Sequence, residues 1–255
     1  MNLPGKLIVI EGGEGTGKTE QTKLLVTRLH GTGHAAAEYD FPRYGKPPLG
    51  HPASFFIRKY LQKEEFGFKE GYGPAISVNP YAASLSYAIE RFDASFCQEY
   101  KPNLRERLAS GEIIISNRYT PSNIGFQASK IDDPNERREF ILWLMDIEYN
   151  KLQIPEPGLV ILLNLDPKLA LELKVAQRRK QGLPLDAHEK DSEIIFRAHR
   201  AYIEAVSLFT NTWVVVDVAN HDHSPEEGLS AIRSREDIHE EIWGHVRSHI
   251  DSNRG

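Results

Sequence analysis

The sequence predicts an α/β protein: an open, doubly wound parallel sheet with helices on both faces, a three-layer α/β/α arrangement. Three observations predict it. Five short apolar runs alternate along the chain with helical patterns. The runs are apolar throughout instead of at every second position, as expected of strands buried on both faces. A glycine-rich loop follows the first run, where such sheets bind ligands at the carboxyl ends of their strands.

Lys6–Ile10 is apolar, β-branched and bounded by glycines, which reads as a buried strand. Lys18–His30 reads as a helix, with Leu24, Leu25 and Leu29 on one side and Gly31 at the stop. Ala35–Tyr39 is a weaker strand that runs into "DFPRYGKPP". Gly67, Gly71, Gly73 and Pro74 make Glu64–Asn79 a loop or insertion. Pro80 opens a long helix expected to reach Tyr100, to break at Pro102 and to resume to Ala109, with Gly111 as C-cap. Ile113–Ile115 is an unbroken apolar strand, and Phe140, Leu144 and Ile147 mark an amphipathic helix over Asn135–Lys151. Leu159–Leu165 is the fourth strand, stopped by Asp166-Pro167 and followed by a helix to about Lys180. A polar loop, a helix through Phe209 and the strand Trp213–Val218 come next. Ile238, Ile242, Val246 and Ile250, four apart, mark the last helix.

At 255 residues the chain is expected to form one domain. Its net charge of −5 means that an anionic ligand must be drawn by local cations and backbone dipoles, and argues against nucleic acid as the main partner. The single Cys97, within a helical pattern, excludes an internal disulfide, fits a reducing compartment and reads as core packing. The apolar run ended by Glu11 is too short for a secretory leader or a membrane span. No membrane partner and a cytoplasmic location are therefore expected.

After the first strand comes "GGEGTGKT", residues Gly12, Gly13, Glu14, Gly15, Thr16, Gly17, Lys18 and Thr19. It fits G-x-x-x-x-G-K-[ST] in the strand–loop–helix context the motif requires, so the fold is expected to be of the P-loop NTPase type. The glycines let backbone N–H groups turn inward around a polyphosphate, and the helix N-terminus adds its dipole. Lys18 neutralises the transferring phosphate, and Thr19 can reach Mg²⁺. The motif points to a nucleoside triphosphate but does not by itself name an activity. The Asn-Lys-x-Asp motif of GTPase switches is missing, and so is the early loop lysine of partition ATPases, so an ATPase or switch module is unsupported.

Four further stretches carry polar groups where the sheet opens: "DFPRYGKP", "SYAIERFDA", "SNRYTPSNIGFQ" and "AQRRKQG". With the phosphate loop, this set resembles the thymidylate kinase family from Leu7 to about Val218. The resemblance implies phosphotransfer from ATP to dTMP on a five-stranded parallel sheet with a helical lid. It implies that Phe41, Pro42 and Arg43 hold the acceptor phosphate, with the arginine one place early against the family's F-P-x-R. It also implies that Tyr87 stacks on thymine, with Arg91 near the base O4, while Arg118 grips the acceptor phosphate. Ser122, Phe126 and Gln127 fall where the family contacts the base, and Glu14 where it reads the sugar. The lid, about 178–191, is expected to clamp phosphates with Arg178, Arg179 or Lys180. Its usual D-R-[IY]-E is here Asp186, Ala187, His188 and Glu189, one arginine short. A homodimer is the further expectation.

Blander readings stand beside these. Tyr87 can be core, Arg91 can pair with Glu90 or Asp93, and the lid cations can be a solvated helix end. His221 and His223 read as a solvated loop and not as a metal site.

Asn117 stands where the family has an acid before its arginine. A hydroxyl acceptor needs a carboxylate base. A phosphate acceptor has a second pKa of about 6 and does not. An amide, which can still hold a metal-bound water, is therefore tolerable in a monophosphate kinase. The alternative is a deoxynucleoside kinase, with Asp40 near the place of its base.

Overall fold

The computed structural model describes residues 3–180, 188–220 and 228–252, with side chains left out at 174, 177–180 and 188–192. Among the described residues one sheet forms, with strand order β2-β3-β1-β4-β5. Its strands are β1 (Lys6–Gly12), β2 (Ala36–Asp40), β3 (Ile113–Asn117), β4 (Leu159–Asn164) and β5 (Trp213–Asp217), all parallel. The doubly wound parallel sheet is as expected.

The uniformly apolar strands serve two cores, because successive side chains point to opposite faces. Ile8 and Ile10 pack with Leu25 and Leu29 of α1 (Lys18–Gly31) and with Ile238, Ile242 and Val246 of α9 (Arg235–Asp251). Leu7 and Val9 face the other way, toward Leu104 and Leu108 of α4 (Leu104–Ala109) and Phe140 and Leu144 of α6 (Pro134–Met145). Burial of two such faces supplies most of the stabilisation, at roughly 25 cal/mol per Å² of apolar surface removed from water.

Some boundaries differ from expectation. The helix from Pro80, α3 (Pro80–Phe96), ends four residues before Tyr100. Cys97 turns extended (ψ 126°) after its N–H closes on the Asp93 carbonyl, so it is a half-buried cap and not a core residue. Asn103 then starts α4 with a reciprocal capping box to Glu106. The helix over Asn135–Lys151 is α6 continued by a wider π turn, Asp146–Lys151.

Two helices carried no sequence signal, α2 (Phe55–Tyr60) and α5 (Thr120–Gln127). The sequence of α5, TPSNIGFQ, is poor in helix formers, and packing holds it. Gly125 lets α5 approach α8 (His188–Leu208) closely: a Cβ there would lie 2.2 Å from the Tyr202 ring.

The remaining helix is α7 (Pro167–Lys180). Half of the expected lid, residues 181–187, falls outside the described residues, as do the side chains of Arg178, Arg179 and Lys180 and all of His221 and His223. The stretch from Glu64 to Asn79 holds two short 3₁₀ turns, Glu64–Phe66 and Ala75–Ser77. Among the described residues no helix is long and apolar enough to cross a membrane.

Candidate active site

The chain leaves β1 toward β2 on one side and β3 toward β4 on the other, so the carboxyl ends of β1 and β3 flank the crevice where such sheets bind ligands. The first of these ends is the phosphate loop. Gly12, at φ 146°, has no room for a side chain, since a Cβ would lie 2.6 Å from the Leu163 carbonyl. Lys18 opens α1 and is 7% exposed. Its ammonium donates to the Gly12 carbonyl at 3.1 Å and to the Gly13 carbonyl. Burial, with the nearby Arg118 guanidinium second, lowers its pKa to about 8.

The second end is Asn117-Arg118. Arg118 adopts φ 66°, left-handed backbone that costs a non-glycine residue about 1–3 kcal/mol and recurs at functional sites. Its N–H donates to the Ile10 carbonyl at 3.1 Å, which extends the ladder one residue past β3. Its guanidinium lies 3.9 Å from Glu11 Oε1 and 5.2 Å from the Phe126 ring centre.

Glu11 is fully buried and organises this end. It accepts from the Gly12 N–H (3.1 Å), Ser122 Oγ (2.7 Å) and Tyr202 Oη (3.0 Å). Glu11 escaped the sequence reading, although an acid ending a buried strand is itself a signal.

Beside Arg118 opens a cavity of about 260 Å³. Phe41, Pro42, Tyr87, Arg91, Ser122, Phe126, Gln127 and Glu14 all line it, so most expected acceptor residues meet there. Tyr87 stands edge-on to Tyr60, ring centres 6.3 Å apart. Arg91 is 1% exposed and is held by Glu148 in a two-toothed pair, Nε at 2.6 Å, with Nη1 outside the pair. Its partner is thus Glu148, not Glu90 or Asp93. Thr120 also donates to Glu148, at 2.7 Å. The Gln127 amide contacts Tyr60 Oη at 3.4 Å.

Arg43 is placed differently. Its Nε donates to Glu90 at 2.7 Å and its Nη2 to Asp93 at 2.7 Å, both acids on α3, and it does not line the cavity. The register shift noted in the sequence goes with this placement.

Tyr60 and Lys130 line the cavity without any sequence warning. The Lys130 ammonium donates to Tyr60 Oη and to the Val78 carbonyl, each at 3.0 Å, and burial lowers its pKa to about 8.

Thr19 and Asn117 meet at the mouth, where the Asn117 amide nitrogen donates to Thr19 Oγ1 at 3.1 Å. Asn117 is buried, and its Oδ1 has no hydrogen-bond partner. Among the described residues no three His, Cys, Asp or Glu side chains cluster. A hydroxyl and a spare amide oxygen suit a hard divalent cation that takes most of its ligands from phosphate and water.

Comparison with known proteins gives the family. The thymidylate kinase family profile matches residues 10–227. A curated thymidylate kinase of Leifsonia xyli is 29% identical over 238 residues, covering 92% of this chain and 96% of that protein. Those of Deinococcus radiodurans and Mycobacterium tuberculosis are each 26% identical, covering 95% and 82% of this chain and 96% and 90% of their own lengths. A solved thymidylate kinase of Candida albicans superposes with TM-score 0.63 over 97% of this chain and 93% of its own. At 20% identity that likeness bears on the fold alone. By the extent of the family match and the P-loop sheet beneath it, the chain belongs to the thymidylate kinase family.

Proposed function

We infer that this chain transfers the γ-phosphoryl group of ATP to dTMP, giving ADP and dTDP. The observation that carries the reading is the arrangement at the mouth. Lys18 closes the loop after one strand and Arg118 directly follows the neighbouring strand, and Arg118 opens on a cavity walled by Tyr87 and Gln127.

A monophosphate acceptor, with a second pKa of about 6, is largely a dianion at neutral pH and needs no base. What it needs is relief of repulsion from the donor's polyphosphate. Lys18 meets the donor phosphates and Arg118 the acceptor phosphate, and Glu11 sets the angle of Arg118. Tyr87 stacks on thymine, the Nη1 of Arg91 faces the base, and Ser122 and Gln127 complete its contacts. Arg43 enters as a positioning residue that pins the Pro42–Arg43 turn to α3. Arg178 and Arg179 enter from the sequence alone, on a lid that closes over ATP and keeps water from taking the phosphoryl group. Thr19, and Asn117 through water, would hold Mg²⁺, which would supply neutralising charge to the polyphosphate.

The assembly in this reading is a homodimer. Leu85, Ile89 and Phe92 follow one face of α3 and stay 42%, 52% and 39% exposed, an apolar patch of the kind interfaces cover. A cytoplasmic location belongs to the same reading, and the single cysteine and the nucleotide substrates support it.

Steady-state assays with dTMP and thymidine side by side test the function. Turnover of dTMP alone is expected. Turnover of thymidine without dTMP would transfer the protein to the deoxynucleoside kinases, and slow ATP hydrolysis indifferent to both would make it a switch.

A further inference from the structure

The sheet register sets an acid beside an amide at the mouth. Asp40, the last residue of β2, is the Cα partner of Asn117, the last of β3. The Asn117 amide nitrogen donates to Thr19 Oγ1, and the register sets it beside Asp40, whose carboxyl it helps to hold ionised against the effect of burial. Asn117 is 6% exposed, and its Oδ1 is left without a partner. One amide therefore holds the hydroxyl of α1, stands next to a carboxylate of β2 and keeps an acceptor still to be used.

The carboxylates nearby differ in how far they are committed. Glu11 already receives a backbone N–H and two hydroxyls. Asp40 sits at the exposed end of its strand and faces Lys18 and Arg118. A small divalent cation that arrives with a polyphosphate keeps several waters and takes one or two protein carboxylates. Asp40, Thr19 and Asn117 present that kind of sparse, oxygen-rich half-shell.

We propose that Asp40 supplies, from β2, the carboxylate that faces the divalent cation of the bound polyphosphate, and that Asn117 is an amide because it orients that carboxylate. An acid at 117 would set two like charges on neighbouring strands, a destabilising pair. It would also lose the two N–H donors, one of which reaches Thr19 and the other of which is there to orient Asp40. The amide before Arg118 is thus matched to the acid one strand away. Asp40 is then a metal-facing group and not the base of a hydroxyl acceptor. This inference rests on the phosphotransfer reading for the polyphosphate, and not on the identity of the acceptor.

The test needs no turnover. Mn²⁺ is titrated into the full chain saturated with ADP, and the free ion is read by electron paramagnetic resonance. Asp40→Asn should weaken Mn²⁺ binding by about 10-fold or more, and Asp40→Asn with Asn117→Asp should recover it to within about threefold, the carboxylate having moved one strand over. Asp40→Ser, read in the same way, covers the case in which the first variant folds poorly, and melts without nucleotide report folding. Unchanged Mn²⁺ affinity in Asp40→Asn, or a double variant no better than the single, overturns the proposal. So does an Asp40→Asn that keeps its metal affinity while losing turnover of thymidine, which would make Asp40 a base. A wild-type protein that does not phosphorylate dTMP leaves the titration readable, so the two readings fail separately.

Discussion

The phosphate cradle and the acceptor cavity meet at Glu14 but are made of different material. The cradle is contiguous: eight residues from Gly12 to Thr19, shaped by backbone angles that glycine permits at Gly12, Gly15 and Gly17. The cavity is assembled from the turn after β2, α2, α3, the end of β3 and α5, and depends on which side chain stands at each place. A contiguous backbone device is all-or-none, since any lost part opens the nest. A cavity built from scattered side chains weakens by degrees. The comparison teaches that damage at the two places should differ in kind as well as in size.

The largest effect is expected in the cradle. Lys18→Ala should lower kcat by roughly 10²–10³-fold, as for loss of a preorganised charge on the reacting group. Retention of more than a tenth of wild-type kcat would break the contrast at its strong end. Arg118→Ala comes next. It should cut kcat/KM for dTMP by about 10²-fold through loss of a charge-assisted contact, with ATP affinity little changed. Equal losses for both substrates would place Arg118 in the cradle instead. Tyr87→Leu should act mainly on KM for dTMP, since base stacking is worth about 1–3 kcal/mol per base. No change would return Tyr87 to plain core packing.

The smallest effect is a pH signature. With Lys18 held at about 8 against 10.5 unfolded, the free enzyme loses this cation as pH rises through 8, and kcat/KM should fall there. Stability should move the opposite way. Between about pH 8 and 10.5 the unfolded chain binds more protons at this site, so the contribution of Lys18 to stability rises with pH. Lys130 shares a pKa of about 8, so a pH-rate profile of Lys130→Met separates the two lysines. A profile in which the fall vanishes with Lys130 would remove Lys18 from the explanation.

The same division governs what could be read from the sequence. The cradle was legible because its chemistry is written in consecutive residues. The strands were legible because burial on both faces leaves them apolar without a break, as in Ile113–Ile115 and Leu159–Leu163. Helix α5 was not legible, since its stability comes from the fit of Gly125 against Tyr202, a contact 77 positions away in the chain. Glu148, which holds Arg91, and Tyr60, which backs Tyr87, are single residues with no pattern around them. The placement of Arg43 on Glu90 and Asp93 depends on a helix that starts 37 residues later, and no local rule reports it. Asp40 was noticed, but its neighbour across the ladder emerges only from the register.

By composition the glycine-rich stretch 64–79 looks like an ornament that could be cut away. Its Val78 carbonyl accepts a hydrogen bond from the Lys130 ammonium, and its Ala75 carbonyl lies 3.3 Å from the Tyr60 hydroxyl. Excising it would strand an amine in an oily chamber, so a miniaturised version of this catalyst has to keep its least tidy segment.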